Sequence, residues 1–543
     1  MNRQTFTWGY SGYKLRYKED LKEFLCLAGL LIASLLLFTV NLGELTLRDW
    51  DEATIAQVAK EIWQASPSAL KWLFPTFWGD PYLNKPPLIH SLIALAYSWG
   101  GESEWTTRLP GAILTAFSVP LLYLLGREIF PGRTSALLSA LLYLTLLPVV
   151  RHGRLAMLDG AVLCFEILMM GCMLRSRRSP VWALGAGLGF SFLCLTKGIL
   201  GVLLAGIAFI FLLWDTPRLL TSAYFWFGWF LGSTPALAWY GAQFFHYEQA
   251  FIDSLMAQQL SRVGQELDNH QGPPWYYLVE ILKYGWPWLI FVVWGLRLAW
   301  QDYHYSWAKL VLVWSTCFLL IVSLMATKLP WYVMPVYPAL ALAGGHALAG
   351  VRHFPLDKPY HPLWVAILGG ISLVTGILAL VLYLNLSFSL TILEGDSLAL
   401  ILSALSLTTG TAAVLINQRS EQFIPILFWG MYVSLFLFVN SSFWIWELNE
   451  DFAVKPVAKM VQEVVSPAMP LYTTFDYERP SLNFYSGRRI KPLETPALKE
   501  YWQKQPHPYI LIDDRTLSDL ELDSVQILKQ IPHWSIITKN RQS

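Results

Sequence analysis

Charge is what this chain has least of. Only 14% of its 543 residues are Asp, Glu, Lys or Arg, against 55% apolar residues, where a soluble globular domain carries about 25% charged. The 39 basic and 38 acidic residues leave a net charge of +1, so no basic excess points to nucleic acid, and none is expected as a partner. Cysteine is scarce too. Cys26, Cys164, Cys172, Cys194 and Cys317 all fall inside apolar runs, with no Cys-x-x-Cys. They read as packing residues rather than disulfides or metal ligands. Internal repeats and low-complexity segments are absent. So is a cleavable-signal pattern: the first apolar run is long enough to span and reads as a retained anchor.

What the chain has in abundance is long apolar runs. Stretches of membrane-spanning length, about 17–25 residues, occur near 23–40, 107–126, 134–150, 159–174, 181–196, 199–214, 222–242, 276–299, 307–326, 330–348, 363–385, 397–416 and 423–440. A further one, Leu88 to Trp99, is short. The placement of Arg and Lys orders them. Arg3, Lys14, Arg16, Lys18 and Lys22 put the N-terminal tail in the cytoplasm. If Leu88–Trp99 does not cross, the loops carrying Arg127/Arg133, Arg175/Arg177/Arg178, Arg218, Arg297/Lys309, Arg352/Lys358 and Arg419 all lie inside as well. Thirteen spans then follow, with Leu88–Trp99 interfacial or re-entrant and the C-terminus external. Gly185-x-Gly187-x-Gly189 and Gly228-x-x-x-Gly232 lie in apolar runs without a preceding strand, and read as close helix contacts rather than nucleotide loops.

From about 441 to 543 charge rises and the apolar runs shorten. Leu471–Phe475 and Tyr509–Ile512 read as strands, and Leu517–Ile531 as an amphipathic helix beginning after Thr516 or Ser518. The expected division is a membrane domain over 1–440, with an external loop at 41–106, and a small external α/β domain over 441–543.

The stretch Arg48–Pro87 follows the first apolar run and holds the densest acidic cluster: Asp49, Asp51 and Glu52. Behind it Ile55, Val58, Ala59, Ile62 and Trp63 recur at helical spacing, with Gln57, Lys60, Glu61 and Gln64 on the opposite face. Asp51 stands where an N-cap would stand. The stretch closes on the rigid turn Pro81-Tyr82-Leu83-Asn84-Lys85-Pro86-Pro87. Acidic residues outside a membrane helix are commonly just solvated, and an amphipathic helix is commonly only a packing element. The order of the parts here suits a polar site at a membrane face.

That order, with the Asp51-Glu52 pair and then Pro81-Tyr82 and Lys85-Pro86-Pro87 about thirty residues on, resembles the first external loop of GT-C glycosyltransferases. The aminoarabinose transferases that modify lipid A and the protein O-mannosyltransferases are nearest in pattern, over residues of about 20 to 350. Arg154-Leu-Ala-Met157-Leu-Asp159 resembles the family's Arg-x-x-x-x-Asp segment, Thr327-Lys328-Leu329-Pro330-Trp331-Tyr332 its Lys-Leu-Pro-x-Tyr segment, and His270-Gln271-Gly272-Pro273-Pro274-Trp275-Tyr276-Tyr277 its loop ending. Without the resemblance, Arg151 and Arg154 read equally well as snorkelling arginines and Asp159 as a helix cap. Lys197 and Lys328, external lysines against the charge rule, point to an anionic ligand or to lipid headgroups.

Two positions depart from the aminoarabinose transferases. Asn84 stands where those enzymes often have Glu, and Gln259 near a histidine that helps bind a metal. Neutral amides are poor Zn²⁺ ligands, so neither is expected to hold a metal. A divalent cation stays open, as a hard ion on Asp51 or Asp159. Thr54 and Ile55, where relatives often have Arg and Tyr, point to a different donor sugar or acceptor.

The resemblance implies an α-helical polytopic enzyme in the bacterial inner membrane with its site on the periplasmic face. It implies transfer of a sugar from a polyprenyl-phosphate donor to a lipid, glycan or protein acceptor, with inversion. Asp51 is expected to act on the acceptor hydroxyl, with Glu52 and Asp159 orienting groups around it. Lys85, Arg154, Arg262, His270, Lys328 and Tyr332 are expected at the donor phosphate. A lipid-glycan carrier without catalysis is the other reading, though the polar residues gather at the outer rim rather than at the midplane a transporter would use.

Overall fold

The computed structural model describes residues 8–257, 272–351, 360–384, 392–446, 453–520 and 522–540, and of residues 8–18 and 392–395 the backbone alone. Each of the thirteen apolar runs is helical. The labelled helices are α1 Trp8–Thr39, α2 Glu52–Gln64, α3 Leu88–Gly100, α4 Glu104–Ile129, α5 Arg133–Leu144, α6 Leu147–Arg154, α7 Asp159–Ser176, α8 Trp182–Lys197 and α9 Ile199–Asp215. Three runs are not single α-helices, and 134–150 breaks into α5 and α6. The stretch 276–299 breaks into Tyr276–Tyr284 and Leu289–Gln301, and 330–348 opens as a 3₁₀ segment, Pro330–Val336. Among the described residues six helices are long and apolar enough to cross a membrane, and α5 with α6, bent by 58°, makes a seventh taken as one span. The chain is an integral membrane protein.

The chain divides into two compact units. The first comprises Met1–Leu42, Leu83–Ile89 and Leu109–Trp444; the second comprises Gly43–Tyr82, His90–Arg108 and Ile445–Ser543. The grouping differs from a cut at 440, because most of the first loop packs with the C-terminal residues.

In the first unit helices pack pairwise through small residues. A Cβ on Gly187 of α8 would lie 2.2 Å from the Trp229 carbonyl oxygen, and one on Gly232 2.3 Å from that of Leu184. The two glycines therefore set the approach of α8 to the helix Ala223–Tyr247, as close packing in a membrane requires.

In the second unit a five-stranded sheet has the order β4-β3-β5-β7-β6, with β3 Tyr472–Thr473, β4 Lys491–Pro492, β5 Ile510–Asp513, β6 Val525–Ile531 and β7 Trp534–Lys539. β3 runs parallel to β4 and β5, while β7 is antiparallel to β5 and β6. Alternation gives the sheet two buried faces. Leu511 and Ile536 pack with Val457, Val461 and Leu482 on one. Ile510, Ile512 and Ile537 pack with Leu498 and Trp502 on the other.

The helix expected over Leu517–Ile531 is not formed. A short helix covers Asp514–Asp519, capped by Asp513, whose side chain accepts from the Thr516 amide. Val525–Ile531 is instead an edge strand on β7. The turn Pro532-His533, with His533 at φ 71°, lays it back on its neighbour, and ladder hydrogen bonds outweigh a weakly helical pattern.

The charge asymmetry of the loops also makes a topological prediction. A reporter fused after Ser543 is expected to read external; a cytoplasmic signal would instead make α3 a crossing helix.

Candidate active site

The acidic cluster belongs to the second unit, and its three carboxylates lie in three different settings. Glu52, in the first turn of α2, is fully buried against Arg108, itself 0% exposed. Arg108 Nε donates to Oε1 at 2.8 Å and Nη2 to Oε2 at 2.8 Å. The guanidinium also donates to the Leu45 and Thr46 carbonyls at 2.6 and 2.9 Å, and the Arg48 amide donates to Glu52 Oε2 at 3.1 Å. A forked guanidinium matches a carboxylate and two carbonyls in a way an ammonium could not.

Asp49 is equally enclosed. Its Oδ2 accepts from Arg479 Nε at 2.8 Å, with Nη2 at 2.7 Å, and its Oδ1 accepts from the Ser481 amide at 2.9 Å and from the Ser481 hydroxyl. Asp49 is thus fixed in place from both oxygens.

Asp51 is different. It occupies the N-cap position of α2, as expected, but makes no side-chain capping bond there. Of the three acids it alone keeps part of its surface exposed. Its amide donates to the Asp49 carbonyl at 2.6 Å, closing a three-residue turn around Trp50, whose φ is 54°. A left-handed residue with a Cβ costs about 1–2 kcal/mol, and such strain persists only where the surroundings hold it.

The polar face of α2 is partly enclosed. Gln57 is buried, and Glu61 organises the following hairpin. β1 Thr76–Phe77 and β2 Asp80–Pro81 are joined by Trp78 and Gly79, both at positive φ, 52° and 85°, as a tight two-residue hairpin turn requires. Glu61 accepts from Thr76 Oγ1 at 2.5 Å and from the Trp78 and Gly79 amides at 2.6 and 3.3 Å. Burial pushes this carboxyl up, but the bonds from Thr76, Gln57 and the two amides outweigh it and hold it below the usual range. A depressed carboxyl contributes stability above its unfolded value, about 4.3, that is lost as pH falls through the lower folded value. Hydrogen exchange of the Trp78 and Gly79 amides is therefore expected to rise as pH drops below about 4, and Glu61→Gln should raise it already at pH 7.

The remaining candidates lie in the first unit. Lys85 is half-buried in the turn before the buried Pro86 and Pro87. Asp159, the first residue of α7, accepts from Lys197 Nζ at 2.7 Å, and that ammonium lies 5.5 Å from the centre of the Tyr332 ring. Asp159, Lys197 and Tyr332 thus form one cluster, which joins Lys197, read from the sequence as pointing to an anionic ligand or lipid headgroups, to two of the motif residues.

Arg154 is fully buried. Its guanidinium donates to the Leu37, Val40 and Val439 carbonyls at 2.7, 2.6 and 3.4 Å and lies over the Trp444 ring at 4.6 Å. It thereby serves the carboxyl ends of α1 and of the helix Phe423–Val439, which otherwise carry unsatisfied carbonyls. Lys328 does the same for Ser306–Leu324, donating to Val322, Ser323 and Met325 at 3.1, 2.7 and 2.5 Å; burial lowers its pKa. Arg262 and His270, with Gln259, lie outside the described residues.

Arg108, Arg479 and Ser481 were not singled out in the sequence. The one available signal was chemical: an arginine four residues into an apolar helix, such as Arg108, needs a partner. Among the described residues no three His, Cys, Asp or Glu side chains come together as a metal would need, and position 84 offers a neutral amide. The described donor set does not fit a zinc site.

Residues 84–239 match the family model described as dolichyl-phosphate-mannose-protein mannosyltransferase; the match begins in the Lys-Pro-Pro turn, beyond the acidic cluster. The undecaprenyl phosphate-alpha-4-amino-4-deoxy-L-arabinose arabinosyl transferase 1 of Pseudomonas fluorescens is 28% identical over 363 residues, 65% of each chain, so the match spans just under two thirds of that relative. Arabinosyl transferase 2 of another strain is 28% identical over 417 residues, 73% of this chain and 71% of its own. Among solved structures, ArnT from Cupriavidus metallidurans bound to undecaprenyl phosphate has a TM-score of 0.74 at 18% identity, covering 95% of this chain and 98% of that one. The archaeal oligosaccharyltransferase AglB from Archaeoglobus fulgidus has a TM-score of 0.53 at 11% identity, covering 91% and 70%. The chain therefore has the GT-C membrane fold, and it is similar to the aminoarabinose transferases and O-mannosyltransferases that its motifs resemble.

Proposed function

We propose that the chain is a membrane glycosyltransferase that moves a sugar from a polyprenyl-phosphate donor to an acceptor hydroxyl or phosphate on the periplasmic face of a bacterial inner membrane. The observation that carries the reading is the acidic cluster. Two carboxylates are locked in buried ion pairs, while the one between them, Asp51, keeps an exposed edge at the start of a rigid helix. A site that needs one reactive carboxylate in a fixed orientation has this arrangement.

In the reaction the acceptor oxygen attacks the anomeric carbon, the bond from that carbon to the donor phosphate breaks, and the polyprenyl phosphate leaves. Asp51 takes the proton of an acceptor hydroxyl, or orients the acceptor, as it attacks. Glu52 acts through Arg108, holding the first turn of α2. Lys85 and the Lys197–Asp159–Tyr332 cluster supply positive charge for the leaving phosphate, joined by Arg262 and His270. Arg154 and Lys328, committed to helix carbonyls, hold the ends of the membrane helices rather than the phosphate. No step is routed through a metal.

The relatives are named for undecaprenyl phosphate-aminoarabinose, which makes that donor with lipid A the first pair to assay, ahead of a panel of other polyprenyl-phosphate sugars. Turnover by purified protein supports the reading. Undecaprenyl phosphate binding with no transfer from any donor would favour the carrier instead. Lys85→Ala is expected to raise the donor KM about tenfold or more, the scale of a lost charged hydrogen bond, with kcat changed less.

A further inference from the structure

In the second unit β3 leads through the helix Pro480–Ser486 to β4 on one side, and β4 leads through the helix Thr495–Lys504 to β5 on the other. The direction of winding thus reverses between β3 and β5. In α/β sheets the crevice outside the carboxyl ends of strands at such a reversal is where ligands bind. Here the segment leaving β3 grips the chain's own first loop. Arg479 and Ser481 hold both oxygens of Asp49, and Tyr477 sets its ring 6.0 Å from that of Trp50. The grip is anchored in the sheet: Arg479 lies 5.1 Å from the Phe475 ring, and Phe475 stacks on Trp534 of β7 at 4.7 Å.

We propose that Asp49, Trp50, Arg479 and Ser481 are positioning residues, and that the C-terminal α/β region is a clamp that aims Asp51. The inference rests on Asp51 being the catalytic carboxylate. Three observations converge on it. Both neighbours of the Trp50-Asp51 dipeptide are immobilised, Asp49 by Arg479 and Ser481 and Glu52 by Arg108. The turn between them is closed at 2.6 Å. Trp50 is held left-handed although more than half of its surface is exposed, so burial of its own ring does not account for the conformation. A cap serving only to stabilise would have no use for a strained residue beside the one exposed acid. Strain that survives next to a reactive group is the mark of orientation.

The test uses full-length protein purified in detergent, with undecaprenyl phosphate-aminoarabinose and lipid A as first substrates and the panel's active donor otherwise. Trp50→Gly relieves the left-handed backbone while losing one ring contact, so its unfolding temperature should shift little. Its kcat is expected to fall about 10- to 100-fold, the scale of a small misplacement of a reacting group, with donor KM unchanged and faster hydrogen exchange over residues 48–54. Arg479→Ala should show the same exchange; should it fail to fold, Trp50→Gly still decides. A kcat for Trp50→Gly close to wild type while Asp51→Asn is inactive overturns the clamp and leaves the catalytic reading intact. Full activity of Asp51→Asn overturns that reading, and the clamp's purpose with it.

Discussion

Asp51→Asn is expected to keep expression and fold while lowering sugar transfer by about 10²-fold or more, the usual scale for a lost general base. The fold should survive because this side chain makes no capping bond to α2 and, unlike its two buried neighbours, keeps an exposed edge. An amide of the same shape removes the charge and the basic oxygen while keeping the volume of the side chain. The expected signature is a loss in kcat with donor KM nearly constant, since in the proposed reaction the acid serves the acceptor and not the phosphate. Near wild-type transfer by purified Asp51→Asn would remove the acid from the chemistry. Asp49→Asn removes the counter-charge of a buried arginine, so its loss should appear first as instability.

The second large effect concerns Glu52 and Arg108. Both side chains are 0% exposed and neutralise one another. Removing one partner strands a charge away from water, which costs about 3–5 kcal/mol. Glu52→Ala and Arg108→Ala are each expected to lower the unfolding temperature sharply and to expose residues 43–64 to proteolysis. The double variant Glu52→Gln/Arg108→Met should recover part of the loss, because neither charge is then left alone. Strictly additive losses would mean the pair is not coupled. If Glu52→Gln folds normally yet transfers no sugar, Glu52 belongs with Asp51 in the chemistry.

Much of the fold was legible in the sequence because its signals are local. An apolar run is visible in composition alone, and each of the thirteen runs is helical, although among the described residues six helices, or seven with α5 and α6 as one span, are long and apolar enough to cross. The glycines at 187 and 232 announced close helix contact without any knowledge of partners. The 48–87 stretch announced a site because its acids, helix and Lys-Pro-Pro turn lie near one another along the chain. The edge strand Val525–Ile531 was missed because seven residues with four apolar positions fit either period, and pairing with β7 decided between them.

The sequence alone determined that this is a polytopic membrane protein with an acidic cluster after its first long helix, and that its motifs resemble those of lipid-linked-sugar transferases. Only the tertiary structure decided which charges are committed. Arg108 finds Glu52 across 56 residues, and Arg479 finds Asp49 across 430. Arg154 and Lys328, which look from the motifs like phosphate ligands, are spent on helix carbonyls. The physical reason is that a charge carries no local sign of its partner. Whether a carboxylate is a counter-ion or a reagent depends on what the fold brings within hydrogen-bonding reach, and here it closes around Asp49 and Glu52 and leaves an edge of Asp51 exposed.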